Sequence, residues 1–232
     1  GIKDEKGMLF FEMCRILRER KPKCFIAENV KGLLTANKRE AFPLIIKEFE
    51  DSGYDVKYQV VHAVEFGVPQ KRERVIIVGF RKDLNVEFDF PEAVVDSPEK
   101  YVPLSKVIDS DVDDKYFFSQ KAVDGMMRNR ESMNKGRAQN VDEPCNTVGA
   151  HLAKVSLNST DPVLKVDNKY RRFTPREVAR IQSFPETFKL TESEHAQYKA
   201  LGNAIPPVMF WYIMRSVKDS LNSEKKYESI TV

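Results

Sequence analysis

Apolar positions fall at helical spacing twice near the start of the chain, and short β-branched runs separate them. Between Gly7 and Arg20, Met8, Phe11, Ile16 and other apolar residues spread over one broad face, which predicts a helix ended by Lys21-Pro22. From Glu40 to Ser52, Phe42, Ile45, Ile46 and Phe49 stand at i, i+3, i+4 and i+7, predicting a second amphipathic helix with Gly53 as its stop. Cys24 to Glu28 and Tyr54 to Ala63 read as strands. The run Val75-Ile76-Ile77-Val78, closed by Gly79, reads as a strand buried on both faces. Strands and helices in alternation predict an α/β sheet.

From Arg81 to about Lys169 the pattern breaks into Pro-punctuated, Asp-rich stretches with short helical patches such as Ser119 to Met127. A small separate domain or a large insertion is expected there. Thr174 to Ser183 resumes as a helix, with Pro175 in its first position, Thr174 as cap and Glu177 completing a capping box. A last helix starts at Pro206 or Pro207 and runs to about Ser220, and the polar tail from Asn222 is expected to fray. The expected division is therefore 1–80, 81–170 and 171–232.

Composition narrows the class without naming a partner. The 232 residues are 41% hydrophobic and 31% charged, ordinary for a globular protein, and the net charge is +3. No apolar stretch is long enough to cross a bilayer and no leader is recognised, so a cytoplasmic location is expected, with no membrane partner. Three cysteines, Cys14, Cys24 and Cys145, never spaced Cys-x-x-Cys, argue against a disulfide framework and against a metal site.

Two polar clusters carry candidate chemistry. In Gln70-Lys71-Arg72-Glu73-Arg74, directly before the apolar run, strand alternation would place Gln70, Arg72 and Arg74 on one side. Two planar guanidiniums and an amide so converged suit phosphate or the carbonyl edge of a base, although a solvated strand end laced with Arg/Glu pairs has the same letters. Between Met126 and Gln139, Arg128, Arg130, Lys135 and Arg137 face a single acid, Glu131, with amides interleaved, which makes a nucleic-acid contact strip or a solvated charged face.

Four signals then stand in a fixed order: Glu28-Asn29-Val30, Gly67-Val68-Pro69-Gln70-Lys71-Arg72-Glu73-Arg74, Arg172-Phe173-Thr174-Pro175-Arg176-Glu177, and Gly202-Asn203-Ala204-Ile205-Pro206-Pro207. In that order they resemble the C5-cytosine DNA methyltransferases, and the resemblance covers nearly the whole chain except the middle segment. It implies part of a Rossmann-like, S-adenosyl-L-methionine-dependent methyltransferase domain plus a small irregular target-recognition domain at about 81–170. It also implies double-stranded DNA as partner, association with the nucleoid through DNA, and a restriction-modification setting.

The resemblance assigns roles residue by residue. Glu28 matches the acid that holds ring N3 of a flipped cytosine and shares its proton, for which burial favours the neutral form. Arg74 matches the donor to cytosine O2, and Arg72 the residue that helps hold the site. Asn203, Ala204 and Ile205 match the turn that returns to the cofactor, with Ala204 where the family more often has Ser. Thr147-Val148 resembles the small signature of the recognition domain, so Gln70, Arg128, Arg130, Lys135, Arg137 and Thr147 are the expected DNA contacts.

One departure limits the expectation. The family's Phe-x-Gly-x-Gly turn and its Pro-Cys-Gln nucleophile are not among these residues, and Pro144-Cys145-Asn146 sits in the recognition segment instead. Cys14 and Cys24 fall in core patterns. The chain alone is expected to be inactive, with the other half of the catalytic domain in the same protein or on a separate subunit. A non-catalytic DNA-binding module of this ancestry and a relative acting on RNA are the competing readings.

Overall fold

The computed structural model describes residues 5–128, 138–154, 161–190 and 193–228. In chain order they form α1 (Glu5–Arg20), β1 (Cys24–Val30), α2 (Ala41–Asp51), β2 (Tyr54–His62), β3 (Gln70–Lys71), β4 (Glu73–Arg81), α3 (Gln120–Arg128), β5 (Cys145–Asn146), β6 (Leu164–Val166), β7 (Lys169–Arg171), α4 (Pro175–Ile181), α5 (Glu194–Asn203) and α6 (Pro207–Glu228), with short 3-10 turns between. They group into two units: 1–62 with 73–92 and 213–232, and 63–72 with 93–212.

In the first unit β4 lies between β1 and β2, and both pairings are antiparallel. Every residue from Val75 to Phe80 is buried, in keeping with the unbroken apolar run. Burial on both faces most often goes with parallel strands, but residues 63–72 provide no crossover helix, so β4 returns antiparallel to β2. Gly79 stands opposite Phe25, where a Cβ would lie 2.1 Å from the Phe25 ring. That ring packs on Phe49 of α2 and Tyr54 of β2 at centroid distances of 4.5 and 5.3 Å.

The buried seam of α1 differs from the expected one. Cys14 and Leu17 are buried, with Phe10 and Met13 packed beside them, whereas Phe11 and Ile16 are exposed. The four inward residues stand at i, i+3, i+4 and i+7, a narrower stripe than the broad face the letters offer. On α2 the expected face is the observed one, with Ala41, Phe42, Ile45 and Phe49 buried. Gly53 ends that turn at φ +95°, a conformation that a side chain disfavours.

The second unit is built on a core that includes Leu104, Val148, Leu164, Phe173, Ile181 and Leu201. Pro175 starts α4, Thr174 caps it, and the Thr174/Glu177 capping box is present in both directions. The stretch expected to be irregular contains an ordered hairpin, β6–β7, turned by Asp167 and Asn168 at φ +47° and +64°. Two successive left-handed residues make the tight turn that suits strand twist, and Asp and Asn tolerate it best after Gly. α5, which has no strong apolar period, is a further addition, and α6 continues to Glu228 where fraying from Asn222 was expected.

Candidate active site

Glu28 and Arg74 meet because of strand register. Glu28 pairs with Ile76 and Arg74 with Val30, so the two are diagonal neighbours on one face of the β1–β4 ladder. Arg74 Nε lies 2.6 Å from Glu28 Oε1, with the side chains 12% and 25% exposed. Arg74 Nη1 also donates to the carbonyl of Glu73 at 2.7 Å, which fixes the plane of the guanidinium. A carboxyl and a guanidinium side by side offer an acid and a donor fork to a planar ring with adjacent nitrogen and carbonyl.

The strand alternation expected across Gln70, Arg72 and Arg74 does not hold. Arg72 N donates to Gln70 O at 2.8 Å and Gln70 N to Val68 O at 2.7 Å, so the backbone bends tightly between β3 and β4. The three side chains consequently have different partners. Gln70 is fully buried: it accepts from Val148 N at 3.0 Å and donates to Gln182 Oε1 at 2.9 Å. Arg72, 3% exposed, donates to Val148 O at 3.3 Å and to Ala204 O at 3.1 Å.

These contacts draw the later motifs to β3. Thr147 is exposed, and its hydroxyl donates to Lys71 O at 2.9 Å. β3 and β5 pair in parallel, Gln70 with Cys145, and Cys145 N donates to Pro69 O. Asn203, at the end of α5, is exposed, while Ala204 and Ile205 are half-buried. Of the basic strip, Arg130, Lys135 and Arg137 lie outside the described residues, as does the side chain of Arg128.

Two residues that sequence reasoning missed organise this region. Gln182, fully buried, receives the Gln70 amide and donates to Leu201 O. Arg171 precedes the recognised Arg-Phe-Thr-Pro-Arg-Glu block and forms a bidentate pair with Glu177, at 2.8 and 2.7 Å. An Arg six residues before a capping-box Glu was the available signal; for Gln182 none stood out.

None of the three cysteines has the environment of an activated nucleophile. Cys145 is fully buried and burial pushes its thiol far up. Burial also raises Cys14, against partial relief from Arg18, and raises Cys24. Attack requires the thiolate, which all three sites disfavour. Among the described residues there is no group of three or more His, Cys, Asp or Glu placed to hold a metal, and no helix long and apolar enough to cross a membrane.

Solved structures share this fold. The methyltransferase Dnmt2 of S. pombe superposes with a TM-score of 0.74 at 18% identity, covering 96% of this chain and 74% of that one. A putative DNA modification methyltransferase from an E. coli prophage gives 0.70 at 18%, covering 96% and 76%. The chain thus has the fold of these two methyltransferases.

The family model described as C-5 cytosine-specific DNA methylase matches residues 1–219, and the chain belongs to that family. It is 38% identical to the Type II methyltransferase M.FnuDI of Fusobacterium nucleatum, over 97% of this chain and 73% of that protein. It is 36% identical to M1.ScrFI of Lactococcus lactis, over 97% and 59%, and 34% identical to M.NgoPII of Neisseria gonorrhoeae, over 95% and 72%. Restriction-modification methyltransferases are therefore its relatives.

Proposed function

We propose that the chain supplies the base-holding and recognition portion of a DNA (cytosine-5-)-methyltransferase. The observation that carries this reading is the Glu28–Arg74 pair, an acid and a guanidinium 2.6 Å apart on rigid adjacent strands. In cytosine, N3 and O2 are neighbouring ring-edge acceptors. Glu28 hydrogen-bonds N3 and shares a proton with it while Arg74 donates to O2, so negative charge does not accumulate on the ring when a nucleophile adds to carbon 6. The base has to leave the duplex to reach two groups set at a strand end, which is the role of flipping.

S-adenosylmethionine supplies the electrophilic methyl group when bound. Asn203, exposed at the end of α5, fits one polar contact to it, with Ala204 and Ile205 providing backbone beside it. Arg72 holds the carbonyl of Ala204 and so keeps that turn in place. Thr147 and the adjoining loop read DNA, and Gln70, which has no exposed surface, shapes that loop from inside rather than touching bases.

The attacking thiolate, in this reading, comes from a Pro-Cys-Gln segment that these 232 residues do not contain, and not from Cys14, Cys24 or Cys145. The test is methyl transfer from labelled S-adenosylmethionine to duplex DNA by the protein supplied with a segment bearing Phe-x-Gly-x-Gly and Pro-Cys-Gln. Label on cytosine carbon 5, lost in Glu28→Gln, is expected; no transfer with any such segment would sink the reading.

A further inference from the structure

Gln70 and Gln182 lie end to end in the core of the second unit, and neither has exposed surface. Val148 N donates to Gln70 Oε1 at 3.0 Å, Gln70 Nε2 donates to Gln182 Oε1 at 2.9 Å and to Ile181 O at 3.4 Å, and Gln182 Nε2 donates to Leu201 O. The relay has one polarity. A backbone N–H at one end can only donate and a carbonyl at the other can only accept, so each amide has a single orientation.

Two more connections join the same segments. Arg72 bridges Val148 O and Ala204 O. Gly202 of α5 lies so close to the other loop that a Cβ would stand 2.1 Å from Gly149 O and 2.4 Å from Ala150 N. Residues 148–150 and 201–204 are therefore tied by an amide relay, a guanidinium and direct backbone contact. A buried amide pair is costly unless both ends are bonded, and apolar side chains would fill the space with less risk. What the polar pair adds is a fixed relative placement of two backbones.

We propose that Gln182 is a positioning residue which, through Gln70 on one side and Leu201 on the other, makes the DNA-reading loop at Thr147–Gly149 and the cofactor-side turn at Leu201–Ala204 respond as one body. Binding at either segment then strengthens binding at the other, and by linkage the two enhancements are equal. This rests on the functional reading above, which assigns DNA to one segment and the cofactor to the other.

The test uses protein competent for methyl transfer and measures the affinity for cognate duplex with and without S-adenosylhomocysteine, the demethylated donor. Wild type is expected to show mutual enhancement of about 5- to 150-fold, and Gln182→Met to reduce it severalfold, the Arg72 bridge and the Gly202 contact remaining. The double variant Gln70→Met with Gln182→Met should lose no more coupling than either single, because both break one relay. In wild type, DNA alone should slow amide exchange at 201–204, and S-adenosylhomocysteine alone at 148–150, a readout that needs no variant to fold. Full enhancement in Gln182→Met, or wild-type exchange that changes only at the segment each ligand touches, would overturn the coupling. Absence of methyl transfer by wild type would instead overturn the functional reading beneath it.

Discussion

Arg171 and Glu177 form a bidentate ion pair with side chains only 2% and 0% exposed, and every carboxylate oxygen is used. Thr174 N and Asp109 N donate to the same carboxylate, to Oε2 and Oε1 respectively, at 2.8 Å each. The motif Arg-Phe-Thr-Pro-Arg-Glu thus serves the fold first: one Glu caps α4, neutralises an Arg and holds the loop at Asp109. Breaking such a pair from one side strands a buried charge. Arg171→Met or Glu177→Gln is expected to cost about 3–5 kcal/mol in denaturant unfolding, and replacing both by apolar residues to cost much less than the sum.

Gly202 tests a different kind of closeness. Its missing Cβ leaves room for backbone atoms of Gly149 and Ala150, which cannot rotate aside as a side chain could. Gly202→Ala should destabilise by about 1–3 kcal/mol through overpacking, even though Ala is the better helix former. Gly32→Ala, where nothing lies within 4 Å, is the control and should be close to neutral.

For the chemical step, Glu28→Gln in the methyl-transfer-competent protein should lower the single-turnover rate by about 10²–10⁴-fold while duplex affinity changes little. Gln keeps the shape but donates from nitrogen and cannot share a proton. An unchanged rate would remove Glu28 from the mechanism.

Cys145 offers a sharp negative. Its buried, upshifted thiol should resist iodoacetamide in the folded protein and react on unfolding, as mass spectrometry would show. Cys145→Ala should leave the rate of methyl transfer intact, and covalent trapping of 5-fluorocytosine DNA through Cys145 would contradict the assignment.

Glu194 links stability to acid. The Lys115 ammonium, 2.8 Å away, and then the Tyr116 hydroxyl hold its carboxyl below the usual carboxylate range. A depressed folded-state value means the contribution is complete above the ordinary carboxylate range and is lost as pH falls through the lower folded value. Thermal unfolding followed from neutral pH into that acid range should therefore fall less steeply in Glu194→Gln than in wild type.

The helices at 41–51 and 175–181 and the buried strand around Val75–Val78 are legible from spacing, because period and capping are local properties. The family order of the motifs is legible too, since it is written along the chain. What the letters do not carry is which polar residue meets which. Alternation suggested that Gln70, Arg72 and Arg74 share a face, but a bend at Arg72 sends each to different partners. Gln182 carries no local signal at the end of α4, and its partners are Gln70 on β3 and Leu201 on α5.

By itself, then, the sequence determined the class of fold and the family and singled out Glu28 and Arg74 as candidates, because hydrophobic period and motif order are properties of one dimension. Only the tertiary structure decided that β4 pairs antiparallel on both sides, that Glu28 and Arg74 are diagonal partners, and that Gln70, Arg72 and Gln182 face inward to backbone groups. The physical reason is that register and buried hydrogen bonding are settled by satisfying every polar group in the core at once, among residues more than a hundred positions apart.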